Sequence, residues 1–471
     1  MLTTLALAFV TATAAPREVT VYNQGFALVK ESRTISLKKG RQEIAIEDVP
    51  SQIQPTSVGI RPMSGPMFSV LEQNYQFDLI SPAAILNKAV GKKVRYVRTV
   101  AGKRDVLEGT LLSSPTSVVP NGEGQNYVYN GMVIRTDDGR IVLNPEGEIE
   151  VAEIPEGLIS VPTLKWDVLS DDSGSANMEL SYLTNGMSWE ANYVLVLGDP
   201  GKNSNLQGWV SMTNNSGATY KDATLKLLAG DVNVVKQRFM AGAASRAKAQ
   251  MAEDQSGLGF AEQQLFEYHL YTLQRPATIR NNEIKQLSLL ESSDIHPKKR
   301  ILIDSMADFG DYYPSEGEVG TGKITPLVKV EFKNTKENGL DMPLPMGKFR
   351  IYQRDKSGSV QMLGEDQIQH TPRKETVSLT VGRVFDIVAN RTRKSYHRLS
   401  STAYEETFEI EVRNRKETAE HAEVIERHWG DWKITDENMA HTKPSAFVAK
   451  FDLDLAANET KTIRYTVVTR W

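Results

Sequence analysis

Seven histidines and the carboxylates near them are where this chain has chemistry to offer. In Glu267-Tyr268-His269-Leu270-Tyr271, a strand would put Glu267, His269 and Tyr271 on one face, because alternate side chains share a side. A carboxylate beside an imidazole is an acid–base pair, and the same row is equally a polar ladder that fixes strand register. His421 and Glu423 repeat that spacing with His428 close by, which reads either as metal ligands or as half-exposed strand residues. Trp429-Gly430-Asp431-Trp432 has the makings of a turn carrying two indoles, and an exposed indole suits the apolar face of a pyranose. Asp171-Asp172-Ser173-Gly174-Ser175 is acidic, but an EF-hand loop needs Gly at its sixth position and Glu at its twelfth, where this chain has Ala176 and Tyr182. That segment reads as a hairpin turn. His269, Glu267, Trp429 and Trp432 are therefore the candidate binding residues. No catalytic residue, metal ligand or cofactor is assigned.

The elements that must position these residues are mostly strands. Arg33–Leu37, then Lys38-Lys39-Gly40, then Gln42–Ile46 reads as a hairpin. Ser81 followed by Pro82 opens a short helix that Gly91 ends. Five short strands between 93 and 151 follow, the layout of a small SH3-like or Sm-like barrel, closed or nearly so. Lys92, Lys93, Arg95, Arg98, Lys103 and Arg104 crowd this region with Tyr96. They read as a solvated barrel face rather than a nucleic-acid surface. Trp209–Gly217, Val328–Lys336 and Phe408–Lys416 each alternate and then end at an Asn, a residue suited to strand ends. Ile279–Leu287 and Ala457–Ile463 form a second recurrent unit. These repeats point to immunoglobulin-like β-sandwiches, interrupted by an Ala/Gln-rich insertion that is helical or mobile. The expected organisation is a signal peptide at 1–14, β-hairpins at 15–80, the small barrel with its leading helix at 81–160, a sandwich at 161–325 with the insertion at 235–262, and a C-terminal sandwich region at 326–471.

With 471 residues the chain has the length for about three domains, and 40% apolar residues exclude whole-chain disorder. A net charge of −4 argues against a generic polyanion binder, so no nucleic-acid partner is expected. The apolar run Leu5–Val10 followed by Ala12-Thr13-Ala14 has the form of a secretory signal with its cleavage site. No other stretch is long enough to span a membrane. The absence of Cys removes disulfides, thiol nucleophiles and cysteine metal sites together. No H-E-x-x-H, phosphate-binding loop, G-x-S-x-G or G-x-G-x-x-G is present, which weighs against an enzyme without deciding the matter.

Val21–Val29, Leu71–Tyr75, Leu183–Tyr193, Glu267–Tyr271, Leu363–Asp366 and the closing Tyr465–Trp471 resemble the domain of unknown function 4139 family. The resemblance implies an exported bacterial β-rich protein distantly similar to mucoidy inhibitor A proteins. It carries no catalytic residues. The expectation is an exported, non-catalytic protein of the cell envelope, periplasmic or secreted to the cell surface: an adaptor, a polymer-binding protein or a structural subunit. Its expected partner is an envelope protein or polysaccharide, with self-association, including strand addition, left open. The alternative is a hydrolase of envelope polysaccharide or peptide, working through His269 or a carboxylate pair in a cleft.

Overall fold

A computed structural model describes residues 17–100, 103–113, 116–121, 124–129, 131–145, 147–199, 202–230, 232–233, 259–305, 309 and 319–471. The expected signal peptide and positions 235–258 of the expected insertion lie outside these residues. The chain is mostly β, built as several separate sheets. No helix among the described residues is long and apolar enough to cross a membrane.

The first large core is enclosed by an eight-stranded sheet, a three-stranded sheet and a five-stranded sheet. Its strands come from far apart in the chain. Arg17–Tyr22 runs parallel to Tyr220–Ala229, and Phe26–Leu37 pairs along its whole length with Gly174–Asn185. Residues 17–76 thus share sheets and core with 163–273. The expected hairpin at 33–46 is corrected. Phe26–Leu37 stays in the eight-stranded sheet, while Gly40–Ile46 leaves for the three-stranded sheet and pairs with Thr163–Ser170. Asp171-Asp172-Ser173 makes the matching corner between Thr163–Ser170 and Gly174–Asn185, so it too joins two sheets rather than the arms of a hairpin. The two corners are tied where the Lys39 amide donates to Ser173 Oγ at 2.9 Å. Both ribbons bend from one sheet into the next around Ile35, Ile44, Trp166 and Ala176, all essentially without solvent exposure.

The unit at 93–151 follows the sequence closely. Ser81 caps the helix Pro82–Lys88 by accepting from the Ala84 amide at 3.1 Å, and Gly91 takes the positive φ of +81° that ends it. Lys93–Val100, Lys103–Leu111, Val133–Thr136, Ile141–Leu143 and Glu148–Val151 form one five-stranded sheet over Val94, Tyr96, Leu111 and Ile134. A separate hairpin, Thr116–Asn121 with Gly124–Tyr129, was not anticipated. The basic residues here meet carboxylates: Lys93 with Asp137, Arg95 with Glu108 and Glu150, Arg98 with Asp105, and Arg104 with Glu150.

A six-stranded and a five-stranded sheet enclose the second large core, around Phe408, Phe451, Ile463 and Tyr465. The six-stranded sheet serves both cores. Val330, Phe332, Val377 and Leu379 pack into the first, whereas Ile301, Val424 and Phe451 pack into the second.

The three recurrent strand-end asparagines occupy equivalent places. Asn214, Asn334 and Asn414 are all buried, and each Nδ2 donates to carbonyls of neighbouring turns: Ala218 and Arg280; Met342 and Pro372; Thr418 and Ala456. The left-handed residues are Asn282, Lys374 and Asn458 on the facing turns, not the three asparagines themselves. Each recurrent Asn therefore works as a buried amide pin that satisfies turn carbonyls no ladder reaches.

Candidate functional site

The structure separates the two halves of the expected acid–base row. Phe266 and Glu267 form a tight turn, with Phe266 at φ +58°, so Glu267 lies outside the strand Tyr268–Leu273 that carries His269. The carboxylate beside His269 is instead Glu262, on the facing strand Phe260–Leu265: Nδ1 lies 2.7 Å from Glu262 Oε1. Glu262 Oε2 accepts from Arg373 at 2.7 Å, so both carboxylate oxygens are already engaged. On the same face, directly across from Glu262, Tyr271 donates to the Pro343 carbonyl at 2.9 Å, and burial raises its pKa far above the ordinary phenol value.

His421 and Glu423 do share a face, but their partners differ. Glu423 is held by Arg300 through two contacts of 2.7 and 2.6 Å, and those hydrogen bonds keep its pKa low. His421 turns to Asp454 at 2.6 Å. Among the described residues no three metal-ligating side chains gather around one point. His428 lies inside the second core against Trp432 and Tyr465. Burial is the main force that lowers its pKa to about 4.

Trp429 and Trp432 part company across their turn. Trp429 is 44% exposed and leans on Phe447, itself 47% exposed, at 5.4 Å between ring centres. Trp432 is 4% exposed, donates to the Ala446 carbonyl at 2.7 Å and is covered by Lys443. The second indole is part of the core, so a two-ring platform at 429–432 does not form; the ring beside Trp429 comes from Phe447.

The surface best furnished for a ligand lies elsewhere, on the outward face of the five-stranded sheet of the first sandwich. Met187–Leu197, Ser204–Asn214, Glu283–Ile295, Gly347–Arg354 and Val360–Ile368 make that sheet. Ala191, Tyr193, Val210, Met212, Leu287 and Phe349 point inward, and the alternate residues point out. Register sets Asn192 opposite Trp209 and Glu190 opposite Ser211. Asn192 Nδ2 donates to Glu190 Oε1 and to Ser211 Oγ, both at 3.2 Å, and Gln286 donates to Ser211 Oγ at 3.3 Å. Trp209, 37% exposed, stands in this polar lattice.

At one end of the face is a cavity of about 650 Å³ bordered by Ser188, Glu190, Ser211, Thr213, Lys348 and Gln367. Beneath the sheet, Tyr193 and Tyr271 donate to the Pro345 and Pro343 carbonyls and so hold the segment that leads into Gly347–Arg354. The Met346 amide donates to His370 Nδ1 at 3.1 Å, so the neutral ring carries its proton on Nε2. Asn23, in the turn after Arg17–Tyr22, also borders the cavity, and its Oδ1 is buried without a hydrogen-bond partner. One carboxylate, one ammonium, several hydroxyls and amides and a nearby indole suit a neutral polyhydroxylated ligand. None of these residues is among the four candidates His269, Glu267, Trp429 and Trp432, although Trp209 is one of the six indoles that could stack on a sugar. The available sign was phase: Trp209 alternates with the polar Ser211 and Thr213 and not with Val210 and Met212.

Residues 19–100 match a family described as an N-terminal domain of unknown function, DUF4140. The matched span begins in the first strand of the large core and ends in the first strand of the 93–151 unit. No curated protein matches the chain.

Proposed function

We propose that this is an exported, non-catalytic envelope protein that binds an envelope polysaccharide along the outward face of the five-stranded sheet. The observation that carries this reading is the hydrogen-bonded lattice of Glu190, Asn192, Ser211 and Gln286 around the exposed Trp209, beside the 650 Å³ cavity. Such a face offers hydroxyl-matching groups and one ring for stacking, on strands that a packed core holds still. The Trp429–Phe447 pair provides a second stacking contact on the other sandwich. The Leu5–Ala14 pattern supports export, and so does the resemblance of the segments quoted above, spread over nearly the whole chain, to the domain of unknown function 4139 family and distantly to mucoidy inhibitor A proteins. The engagement of both Glu262 oxygens favours a binding role over a hydrolase centred on His269.

Co-sedimentation of the full chain with insoluble envelope polysaccharide tests the reading. The combined Trp209→Ala and Trp429→Ala variant should bind at least fivefold less while keeping the parent Tm. Equal binding by parent and variant overturns it, and release of reducing ends by the parent establishes the hydrolase instead.

A further inference from the structure

Two sheets that pack into the first core meet along their edges, and both edge strands are bulged there. Val360–Ile368 is an edge of the five-stranded sheet, and Thr376–Arg383 is an edge of the six-stranded sheet. In the first, Ile351 faces Gly364 and Tyr352 faces Met362, which leaves Leu363 as the extra residue. In the second, Val328 faces Gly382 and Lys329 faces Thr380, which leaves Val381 extra. A bulge takes its extra residue out of the regular alternation, and bulges gather at sheet edges and beside functional sites. The two edges touch next to these bulges. A side chain at Gly364 would collide with the Val381 carbonyl, and the Asp366 carboxylate accepts from the Thr380 amide at 2.6 Å. Beside those ties lies a cavity of about 470 Å³ that both bulged residues border, together with Leu197, Pro297, Val328 and Val330. Gly382 borders it too, and nothing stands within 4 Å of the place a Cβ would take there.

We propose that this cavity binds an uncharged, predominantly apolar small molecule, seated against the bulged residues Leu363 and Val381. Two bulges on different sheets bring apolar residues to one space, which an accidental gap between sheets does not require. The cations of the rim are engaged within the protein. Lys202 pairs with Asp199 at 2.8 Å, Lys299 pairs with Glu420 at 2.8 Å, and Arg383 has a partner as well. A carboxylate or ammonium brought to this rim therefore loses hydration without gaining a counter-ion. Gln353 adds a neutral polar group to the wall, and apolar walls with few polar groups are the usual make-up of a small-molecule site. At about 30 Å³ per water-sized group, the volume holds on the order of fifteen heavy atoms. The inference goes beyond polysaccharide binding and does not depend on it, because the two cavities share no residue.

Calorimetric titration of the full chain with decanol, decanoate and decyltrimethylammonium, each kept below its solubility or micellar limit, tests the proposal. Decanol should bind at least fivefold tighter than either ion, with an affinity that added salt leaves unchanged. Octanol, two methylenes shorter, should bind roughly tenfold weaker than decanol. Leu363 is 41% exposed, so Leu363→Asp should keep the parent Tm while weakening decanol at least thirtyfold. Leu363→Met, close in volume, should bind decanol within threefold of the parent. Absence of saturable decanol binding, binding of either ion as tightly as decanol, or an unchanged decanol affinity in Leu363→Asp overturns the proposal. Polysaccharide co-sedimentation by Leu363→Asp should match the parent, so failure of either reading is seen separately.

Discussion

The outward face of the first sandwich and the interior of the second are furnished with the same kinds of side chain in opposite phase. On the outward face, Glu190, Asn192, Ser211, Lys348 and Trp209 occupy the solvent positions of strands whose alternate residues fill a core. In the second sandwich, Arg391, Glu426, His428, Trp432 and Tyr465 occupy the inward positions. Arg391 meets Glu426 at 2.8 Å with both side chains essentially sealed, lies over the Phe408 ring at 3.7 Å, and shares the carboxylate with Tyr465 at 2.5 Å. A shift of one residue in strand phase thus separates a solvent-facing polar lattice from a buried network. The buried network looks more like an active site by composition, yet Arg391, Glu426 Oε2 and the Tyr465 hydroxyl are spent on one another, while Glu426 Oε1 and His428 Nε2 are buried without a hydrogen-bond partner.

Breaking the buried network should have the largest effect. Arg391→Met leaves Glu426 buried without its cation and should cost about 3–5 kcal/mol in urea denaturation, part of which the added change Glu426→Leu restores. A double-variant cost equal to the sum of the costs of Arg391→Met and Glu426→Leu alone would show that the pair contributes no coupling.

Acid should come next, and it should act on the second sandwich. The His428 pKa falls from 6.5 to about 4 on folding, so the unfolded chain binds the extra proton in this interval. The contribution is complete above pH 6.5 and is lost as pH falls toward about 4, about 3 kcal/mol in all. Glu406, whose pKa burial raises, runs the other way and offsets part of the loss. Hydrogen exchange at pH 7 and pH 5 should show the strands around His428 opening first, and His428→Phe should flatten that dependence.

The three asparagine pins give a finer comparison within the repeat. Asn214 and Asn414 accept backbone amides of Ser216 and Lys416 at Oδ1, whereas Asn334 Oδ1 is buried without a partner. Replacement by Ala should cost about 2–3 kcal/mol at 214 and 414, and less at 334, by thermal denaturation. Smallest of all, Arg95→Ala at the half-exposed pairs with Glu108 and Glu150 should change stability by less than about 1 kcal/mol.

Local features were legible in the sequence because their causes are local. Ser81, Pro82 and Gly91 delimit a helix by capping chemistry, and alternation marks the strands. Partnership was not legible. Arg17–Tyr22 pairs with a strand some two hundred positions away, and a turn such as Lys38-Lys39-Gly40 looks alike whether it closes a hairpin or turns a corner between sheets. His269 was found with the wrong carboxylate because nothing in Phe266 announces a positive φ. The cavity beside Glu190 draws on strands separated by more than a hundred residues, so only the phase of Trp209 hinted at it.

Hydroxyl-radical footprinting with and without envelope polysaccharide tests the binding face most directly, because the indoles report it themselves. Trp209 and Trp429, at 37% and 44% exposure, should lose reactivity when polymer is added, while Trp166, with no exposure, stays unreactive throughout. Trp209 oxidised equally fast with polymer present, under conditions where the protein co-sediments with it, would contradict the assignment of this sheet face.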